Sequence, residues 1–139
     1  MAIVNNYELA PVFLRIIVGI IFIVHGYSKL FKDFGEIANW LLSIGFKPCK
    51  FWAFILGVTE FFGGLLILVG FVSRIPVSLL IIVMVIANYF KIFKWNTPFT
   101  KGSEAGYEYE LLILFSLIAL FIIGSEALSI DMYLNSNLG

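Results

Sequence analysis

The feature that most constrains this chain is a series of four long apolar stretches separated by short polar segments. They run over about 10–27, 51–72, 75–90 and 107–124. A helix needs about 20 apolar residues to cross roughly 30 Å of hydrocarbon. Because 61% of the chain is hydrophobic and only 13% is charged, too few polar residues remain to cover a water-soluble globule. The sequence predicts an all-α integral membrane four-helix bundle that forms a single domain over residues 1–139.

The connections between these stretches predict how the chain crosses the bilayer. The third stretch follows the second almost directly, and Pro76 suits the first turn of a helix. Residues 33–44 have apolar side chains at helical spacing, which predicts a short amphipathic helix in the interface between helices one and two. All seven lysines lie in or beside the two long connections. We therefore expect these connections in the cytoplasm and both termini outside.

Charge and composition exclude several classes of function. Nine basic residues balance nine acidic ones, so nothing in the charge favours nucleic acid as a partner. One cysteine and one histidine are too few for a zinc site, an internal dithiol or bis-histidine haem ligation within one chain. We expect no metal site. No internal repeat is evident, so the sequence gives no support to a repeat-based transporter.

Two ionisable residues, Arg15 and Glu60, fall inside apolar stretches. A charge at the centre of a bilayer costs about 2.5 to 3.5 kcal/mol on insertion scales. Each of the two residues is therefore expected either to pair with an opposite charge or to serve a function. Their expected depths differ by roughly 6 Å, which a long arginine side chain can span. Two interpretations stay open: an ion pair that locks helix one to helix two, and a proton or ligand site.

Glycines at 3–4 spacing mark the faces on which helices one and two are expected to pack. Gly19 and Gly26 lie on helix one, and Gly57 and Gly64 lie on the same face of helix two as Glu60. Small residues let two helix backbones approach closely in a membrane.

A polar layer is predicted where the apolar stretches meet the long connections. Its members come from three helices: His25, Lys29, Asn88, Lys91, Tyr109 and Glu110. Histidine is the side-chain type whose unperturbed titration lies near neutral pH, so His25 together with Tyr109 and Glu110 can move protons or bind a carbonyl such as a quinone head group. A network that only closes the bundle is the alternative interpretation. Trp95 is expected in an aromatic belt at the interface.

Several segments taken together resemble the DoxX family of small four-helix membrane proteins, and the likeness covers residues 14–133. They are Leu14-Arg15 with Gly19 and Phe22, His25-Gly26 with Lys29-Leu30, the run 60–70 with Ser73-Arg74, Tyr109-Glu110, and Gly124 with 128–131. At Asn88 the chain departs from many relatives, which have a histidine in helix three. This departure weakens a two-histidine site.

The resemblance implies a bundle in the cytoplasmic membrane of a prokaryote, in a family linked to sulfur and quinone oxidoreduction, such as the membrane subunit of thiosulfate:quinone oxidoreductase. The positions that match the family's polar pattern are Arg15, His25, Lys29, Glu60, Arg74, Glu110 and Asp131. By the same resemblance, Arg74 and Asp131 would both lie at the external face, where they can form a structural ion pair.

Two functions of different classes follow. The first is the membrane subunit of a quinone-linked oxidoreductase, with a candidate ligand or proton site made by His25, Lys29, Glu60, Asn88, Tyr109 and Glu110. A partner would then supply the electrons. The second is a non-catalytic accessory or assembly subunit of a larger membrane complex. Both functions imply contact with the lipid bilayer and with a larger redox complex or further copies of the chain.

Overall fold

The described part of the chain is helical. The computed structural model describes residues 6–71, 74–124 and 129–138. Its helices, in chain order, are α1 (Asn6–Tyr27), α2 (Phe34–Ser43), α3 (Cys49–Val69), α4 (Arg74–Tyr89), α5 (Glu108–Ile123) and α6 (Ile130–Leu138). Two π-helical turns, Ser28–Lys32 and Phe90–Lys94, continue α1 and α4. The predicted all-helical fold class is confirmed.

Within residues 6–71, 74–124 and 129–138, three helical stretches are long and apolar enough to cross a bilayer. They are Leu9–Lys32, Cys49–Val69 and Arg74–Lys94, with 24, 21 and 21 residues. At 1.5 Å per residue each covers about 30 Å or more, the thickness of the hydrocarbon core. The first and third were predicted to be shorter, because the π-helical turns that extend them could not be foreseen from the apolar pattern. The chain is a multi-pass membrane protein in contact with lipid.

The fourth predicted span is also a helix, but a shorter one. Helix α5 has 16 residues, which cover about 24 Å at 1.5 Å per residue and fall short of a full crossing. It packs along α4, and its side chains Ile113, Leu117 and Leu120 are buried in the main core. The count of four spans therefore stays a prediction.

Among the described helices, α1 and α3 make the most extensive contact with each other, on the predicted glycine faces. A Cβ built on Gly19 would lie 2.9 Å from the carbonyl oxygen of Gly64, and a Cβ built on Gly26 would lie 2.7 Å from the Cα of Phe61. Real Cβ atoms essentially never come so close to another atom. The two backbones touch because these side chains are absent, and the predicted meeting of the two faces is confirmed.

Helix α3 ends at Val69 with Gly70 as its cap, and α4 begins at Arg74. Gly70 ends α3 in the left-handed conformation, with φ of +70°. The amides of Gly70 and Phe71 both donate to the carbonyl of Leu66, at 2.9 and 3.0 Å. Glycine adopts this conformation without the steric cost that a Cβ brings. Pro76 lies in the first turn of α4, as predicted.

Helix α2 confirms the short helix predicted between helices one and two. Its buried residues Ala38 and Leu41 pack in a small cluster that includes Ala53 of α3. Asp33 precedes the helix, but its carboxylate accepts the Ser28 hydroxyl at 2.7 Å instead of capping the helix. The apolar face of α2 is therefore turned onto the bundle.

Candidate functional site

A cavity of about 500 Å³ lies where α1, α3, α4 and α5 meet the long connections, with α2 against it. Most of its lining is apolar. Its polar lining consists of His25, Lys29, Thr59, Glu60, Lys91, Tyr109 and Glu110. A volume of a few hundred Å³ with a few convergent polar groups is typical of a small-molecule site.

The first polar group of the cavity is an ion pair between α1 and α3. The Lys29 ammonium lies 2.5 Å from the Glu60 Oε1. The Glu60 side chain is only 4% exposed, whereas Lys29 is 22% exposed. Lys29 belongs to the π-helical turn Ser28–Lys32, which carries the helix on past Tyr27. A buried carboxylate needs such a partner, because an isolated charge in apolar surroundings is costly.

A second ion pair joins α4 to α5. The Lys91 ammonium, in the π-helical turn Phe90–Lys94, binds the Glu110 Oε1. The two side chains are 26% and 16% exposed. Glu108 and Glu110 both lie in the first turn of α5, where the helix dipole favours negative charge. Thr100 of the preceding loop donates its hydroxyl to Glu108 at 2.5 Å and helps to fix the start of this helix.

His25 and Tyr109 form the third polar group. The Tyr109 hydroxyl lies 3.5 Å from the His25 Nε2, and the two rings stack with centroids 6.2 Å apart. Both residues line the same cavity as the two ion pairs. The structure thus brings together five of the six candidate site residues and Lys91, which was predicted in the same polar layer.

Two carboxylate oxygens of the cavity residues are buried without a hydrogen-bond partner. They are the Oε2 atoms of Glu60 and Glu110, and neither has a donor among the described residues. Each carboxylate has its other oxygen bound by a lysine. Buried acceptors are normally satisfied, and the described side chains leave these two atoms unsatisfied without exposing them to the cavity.

The net charge of the cavity is zero. Two lysines are matched by two glutamates among the residues that line it, and the formal charge counts histidine as neutral. A site with balanced charges offers no excess attraction to an anion or a cation. It is suited to a neutral ligand with polar atoms, and the surrounding apolar side chains suit a ring or an alkyl chain.

Aromatic side chains and an opening between α3 and α4 complete the cavity. All three tryptophans of the chain, Trp40, Trp52 and Trp95, line it. Trp95, which was expected in an aromatic belt, packs on Trp40 of α2 with ring centroids 5.7 Å apart. Trp52 and Ile55 of α3 and Ile86 of α4 also line the cavity and are 38–42% exposed. The cavity is therefore open between these two helices, which face lipid.

The structure places the remaining candidates elsewhere. Asn88 is buried but does not line the cavity, and its Nδ2 donates to the Met84 carbonyl of its own helix at 2.8 Å. Its place in the polar layer was predicted wrongly, because the helix turns its side chain toward the core. For Arg74 and Asp131, the predicted pair lies outside the described residues, since the Asp131 side chain is not among them.

The pair expected between Arg15 and Glu60 is not formed. Arg15 is buried, and its Nη1 lies 2.8 Å from where a Cβ on Gly70 would be. Gly70 is ten residues beyond Glu60, or about 15 Å along the helix at 1.5 Å per residue. Lys29 binds Glu60 instead. Lys29 was predicted in the same candidate site as Glu60, but not as its ion-pair partner.

One sequence signal for the two lysines was overlooked. The pattern Tyr-x-Lys-aliphatic-Phe-Lys occurs at 27–32 and again at 89–94. Both copies form a π-helical turn, and the first lysine of each binds a glutamate of the next long helix. This recurrence of six residues is much shorter than the repeats of inverted-repeat transporters, so the expectation that the chain has no such repeat stays a prediction.

Comparisons with known proteins agree with this architecture. The family model described as DoxX matches residues 10–92. A protein of Bacillus subtilis (strain 168) named "Putative oxidoreductase CatD" is 33% identical over 129 residues, which cover 93% of this chain and 90% of that protein. No solved structure matches the chain. The family model covers more than half of the chain, and the relative aligns over most of both proteins. Together they show that this chain belongs to the DoxX family of membrane proteins.

Proposed function

We propose that this protein is the membrane subunit of a quinone-linked oxidoreductase and that it binds the quinone head group in the cavity between α1, α3, α4 and α5. The observation that carries the proposal is the pair of lysine–glutamate contacts in an otherwise apolar cavity of about 500 Å³. A quinone is neutral, has an aromatic-sized ring and presents two oxygen atoms. These properties match the balanced charge, the tryptophan lining and the two separate polar groups.

The opening between α3 and α4 supports a ligand that arrives from the bilayer. Trp52, Ile55 and Ile86 flank it. An isoprenoid tail can lie along these apolar side chains while the head group reaches the lysines. A small water-soluble anion would gain nothing from this route, since a charged substrate partitions poorly into hydrocarbon.

The residues of the cavity can position and protonate the oxygens of the ligand. When bound, a quinone supplies two-electron, two-proton redox chemistry. Lys29 and Lys91 each have ammonium donors beyond the one that binds a glutamate. Glu110, Tyr109 and His25 can exchange protons with the polar side of the bilayer, because they lie where the helices meet the long connections. The electrons come from a partner protein with its own redox centre.

The location proposed is the cytoplasmic membrane of a prokaryote, with the long connections in the cytoplasm. A bacterial relative over most of the chain supports this location, and the lysines beside both connections support the orientation. The complex would include either a larger redox protein or further copies of this chain.

The test is to extract and identify by mass the small molecules that remain with protein purified in mild detergent. We expect wild type to retain a quinone, and Glu60→Gln and His25→Ala to lose most of it. Lys32→Met is the matched control, because this lysine lies in the same π-helical turn as Lys29 but does not line the cavity. The proposal would be refuted if the wild-type protein retained no more quinone than an unrelated membrane protein purified in the same way. A larger protein that co-purifies without quinone would favour an accessory or assembly subunit.

A further inference from the structure

We infer that Thr59 of α3 is a ligand-binding residue of the cavity and that its hydroxyl forms a hydrogen bond with one oxygen atom of the quinone head group. This inference rests on the proposed function and names a residue that decides which molecules the cavity selects. The observation behind it is that Thr59 lines the cavity while its hydroxyl makes no hydrogen bond with any described residue.

The other serine and threonine hydroxyls on the long helices are satisfied by their own backbone. In α1, α3, α4 and α5, as far as these are described, the residues of this kind are Thr59, Ser78 and Ser116. Ser78 donates to the carbonyl of Arg74 at 2.6 Å, and Ser116 donates to the carbonyl of Leu112 at 2.8 Å. A hydroxyl inside a helix commonly bonds the carbonyl four residues earlier in this way. Thr59 does not, so its hydrogen-bonding capacity is left for another molecule.

The hydroxyl oxygen of Thr59 lies far from bulk water but is accessible from the cavity side of its helix. Thr59 is at the middle of α3, which has 21 residues and is long enough to span the bilayer. Hydrocarbon offers no hydrogen bond, so an unsatisfied polar group at this depth is costly. The unpartnered atoms that are fully buried include the Glu60 Oε2 but not the Thr59 oxygen. A molecule that contacts this wall of the cavity can therefore reach the hydroxyl.

Thr59 lies on the wall of the opening between α3 and α4. Trp52 and Ile55 flank this opening, and Thr59 follows them by seven and four residues, which places the three on one face of the helix. Thr59 also precedes Glu60 directly, so their Cα atoms differ in depth by only about 1.5 Å. A head group that enters between α3 and α4 therefore meets the hydroxyl at the depth where Lys29 binds Glu60.

The chemistry of a hydroxyl gives the cavity a way to distinguish a head group from a lipid chain. A hydroxyl both donates and accepts a hydrogen bond, so Thr59 can bind a quinone carbonyl or the hydroxyl of the reduced form. An acyl chain offers neither a donor nor an acceptor and leaves the Thr59 hydroxyl unsatisfied. A cavity open to the bilayer needs this discrimination, because acyl chains are the most abundant molecules at its entrance.

The experiment measures the binding of two probes to the protein in nanodiscs by equilibrium dialysis, with uptake by empty nanodiscs subtracted. One probe is a short-tailed benzoquinone, and the other is its hydrocarbon analogue, a benzene ring in which methyl groups replace both oxygens. Thr59→Val removes the hydroxyl and nearly keeps the shape of the side chain, whereas Thr59→Ser keeps the hydroxyl.

We expect Thr59→Val to weaken quinone binding about five- to tenfold, the usual effect of one lost hydrogen bond. Binding of the hydrocarbon analogue should not weaken. Thr59→Ser should bind the quinone more tightly than Thr59→Val. Ser116→Ala is the matched control and should change neither affinity, because Ser116 bonds its own helix and does not line the cavity.

The outcomes separate this inference from the function on which it rests. Failure of the quinone to bind the wild-type protein would refute the proposed function and this inference with it. Equal quinone affinities of wild type and Thr59→Val would overturn only the inference, since ordered water would then satisfy the hydroxyl. Equal weakening of both probes in Thr59→Val would overturn it too, because that result indicates a change in the shape of the cavity. If Thr59→Val does not fold, Thr59→Ala replaces it, since alanine also lacks the hydroxyl and is a better helix former.

Discussion

Substitution of Gly26 by alanine tests how strictly the site depends on the contact between α1 and α3. The added Cβ would lie 2.7 Å from the Cα and the Cβ of Phe61. Optimal carbon–carbon separations are about 3.5 to 4.0 Å. The helices would have to move apart by about 1 Å, because the main obstacle is backbone and cannot change rotamer. Phe61 follows Glu60 directly, so the same movement acts on the Lys29–Glu60 pair.

The magnitude follows from this displacement. When two packed atoms move apart by 0.5 to 1 Å, their van der Waals attraction falls by roughly a quarter to a half. This loss applies to the contacts between α1 and α3 that surround Gly26. Overpacking of a well-packed core costs about 1 to 3 kcal/mol. We expect Gly26→Ala to lower the free energy of unfolding by about 2 to 3 kcal/mol and to weaken quinone binding through the displaced ion pair.

The assay is unfolding in mild detergent by titration with sodium dodecyl sulfate, followed by circular dichroism. Gly35→Ala is the matched control, because Gly35 lies in α2 with no atom within 4 Å of its built Cβ. There the same change should stabilise the protein by up to about 1 kcal/mol, since alanine is the better helix former. The packing argument would be refuted if the free energy of unfolding of Gly26→Ala lay within about 0.5 kcal/mol of the wild-type value. Equal losses in both variants would refute it too.

Two further predictions concern the ion pair and the orientation. Lys29→Met should lower the free energy of unfolding by about 3 kcal/mol, because Glu60 would stay buried without its partner, and adding Glu60→Gln should recover most of that loss. The same detergent titration checks this, and a double variant no more stable than the single one would contradict it. Cys49, the only cysteine of the chain, should react with a membrane-impermeant maleimide in inverted vesicles but not in intact cells. A Ser136→Cys protein that also has Cys49→Ser should show the opposite pattern, and a reversed result would place the long connections outside.

The large features of the fold were accessible from the sequence because they follow from periodicity and composition. The apolar stretches identified the three membrane-spanning helices, and the 3–4 spacing of glycines identified the faces on which α1 and α3 meet. The short helix α2 was also visible as apolar residues at helical spacing. Each of these features is local, so neighbouring residues are enough to predict it.

The sequence did not predict in the same way which charged residues form ion pairs. Whether Glu60 meets Arg15 or Lys29 depends on where α1 ends, and the pattern shared by 27–32 and 89–94 does not by itself predict the π-helical turn that carries Lys29 inward. The rotation of Asn88 out of the polar layer depends on how α4 packs against its neighbours. Trp95 lines the cavity through its contact with Trp40, a contact between segments far apart in the sequence.

The two π-helical turns bear on how this family can diverge. In each, the amide after the turn bonds a carbonyl five residues back, from Asp33 to Ser28 and from Trp95 to Phe90. Such a turn holds one residue more than an α-helical turn, so its origin by a single-codon insertion is straightforward. Loss of that codon would leave the lysines in place but turn by about 100° the direction in which the chain leaves the helix. Evolution could thus exchange the aromatic wall of the cavity, formed by Trp40 and Trp95, while retaining the charged groups beneath it.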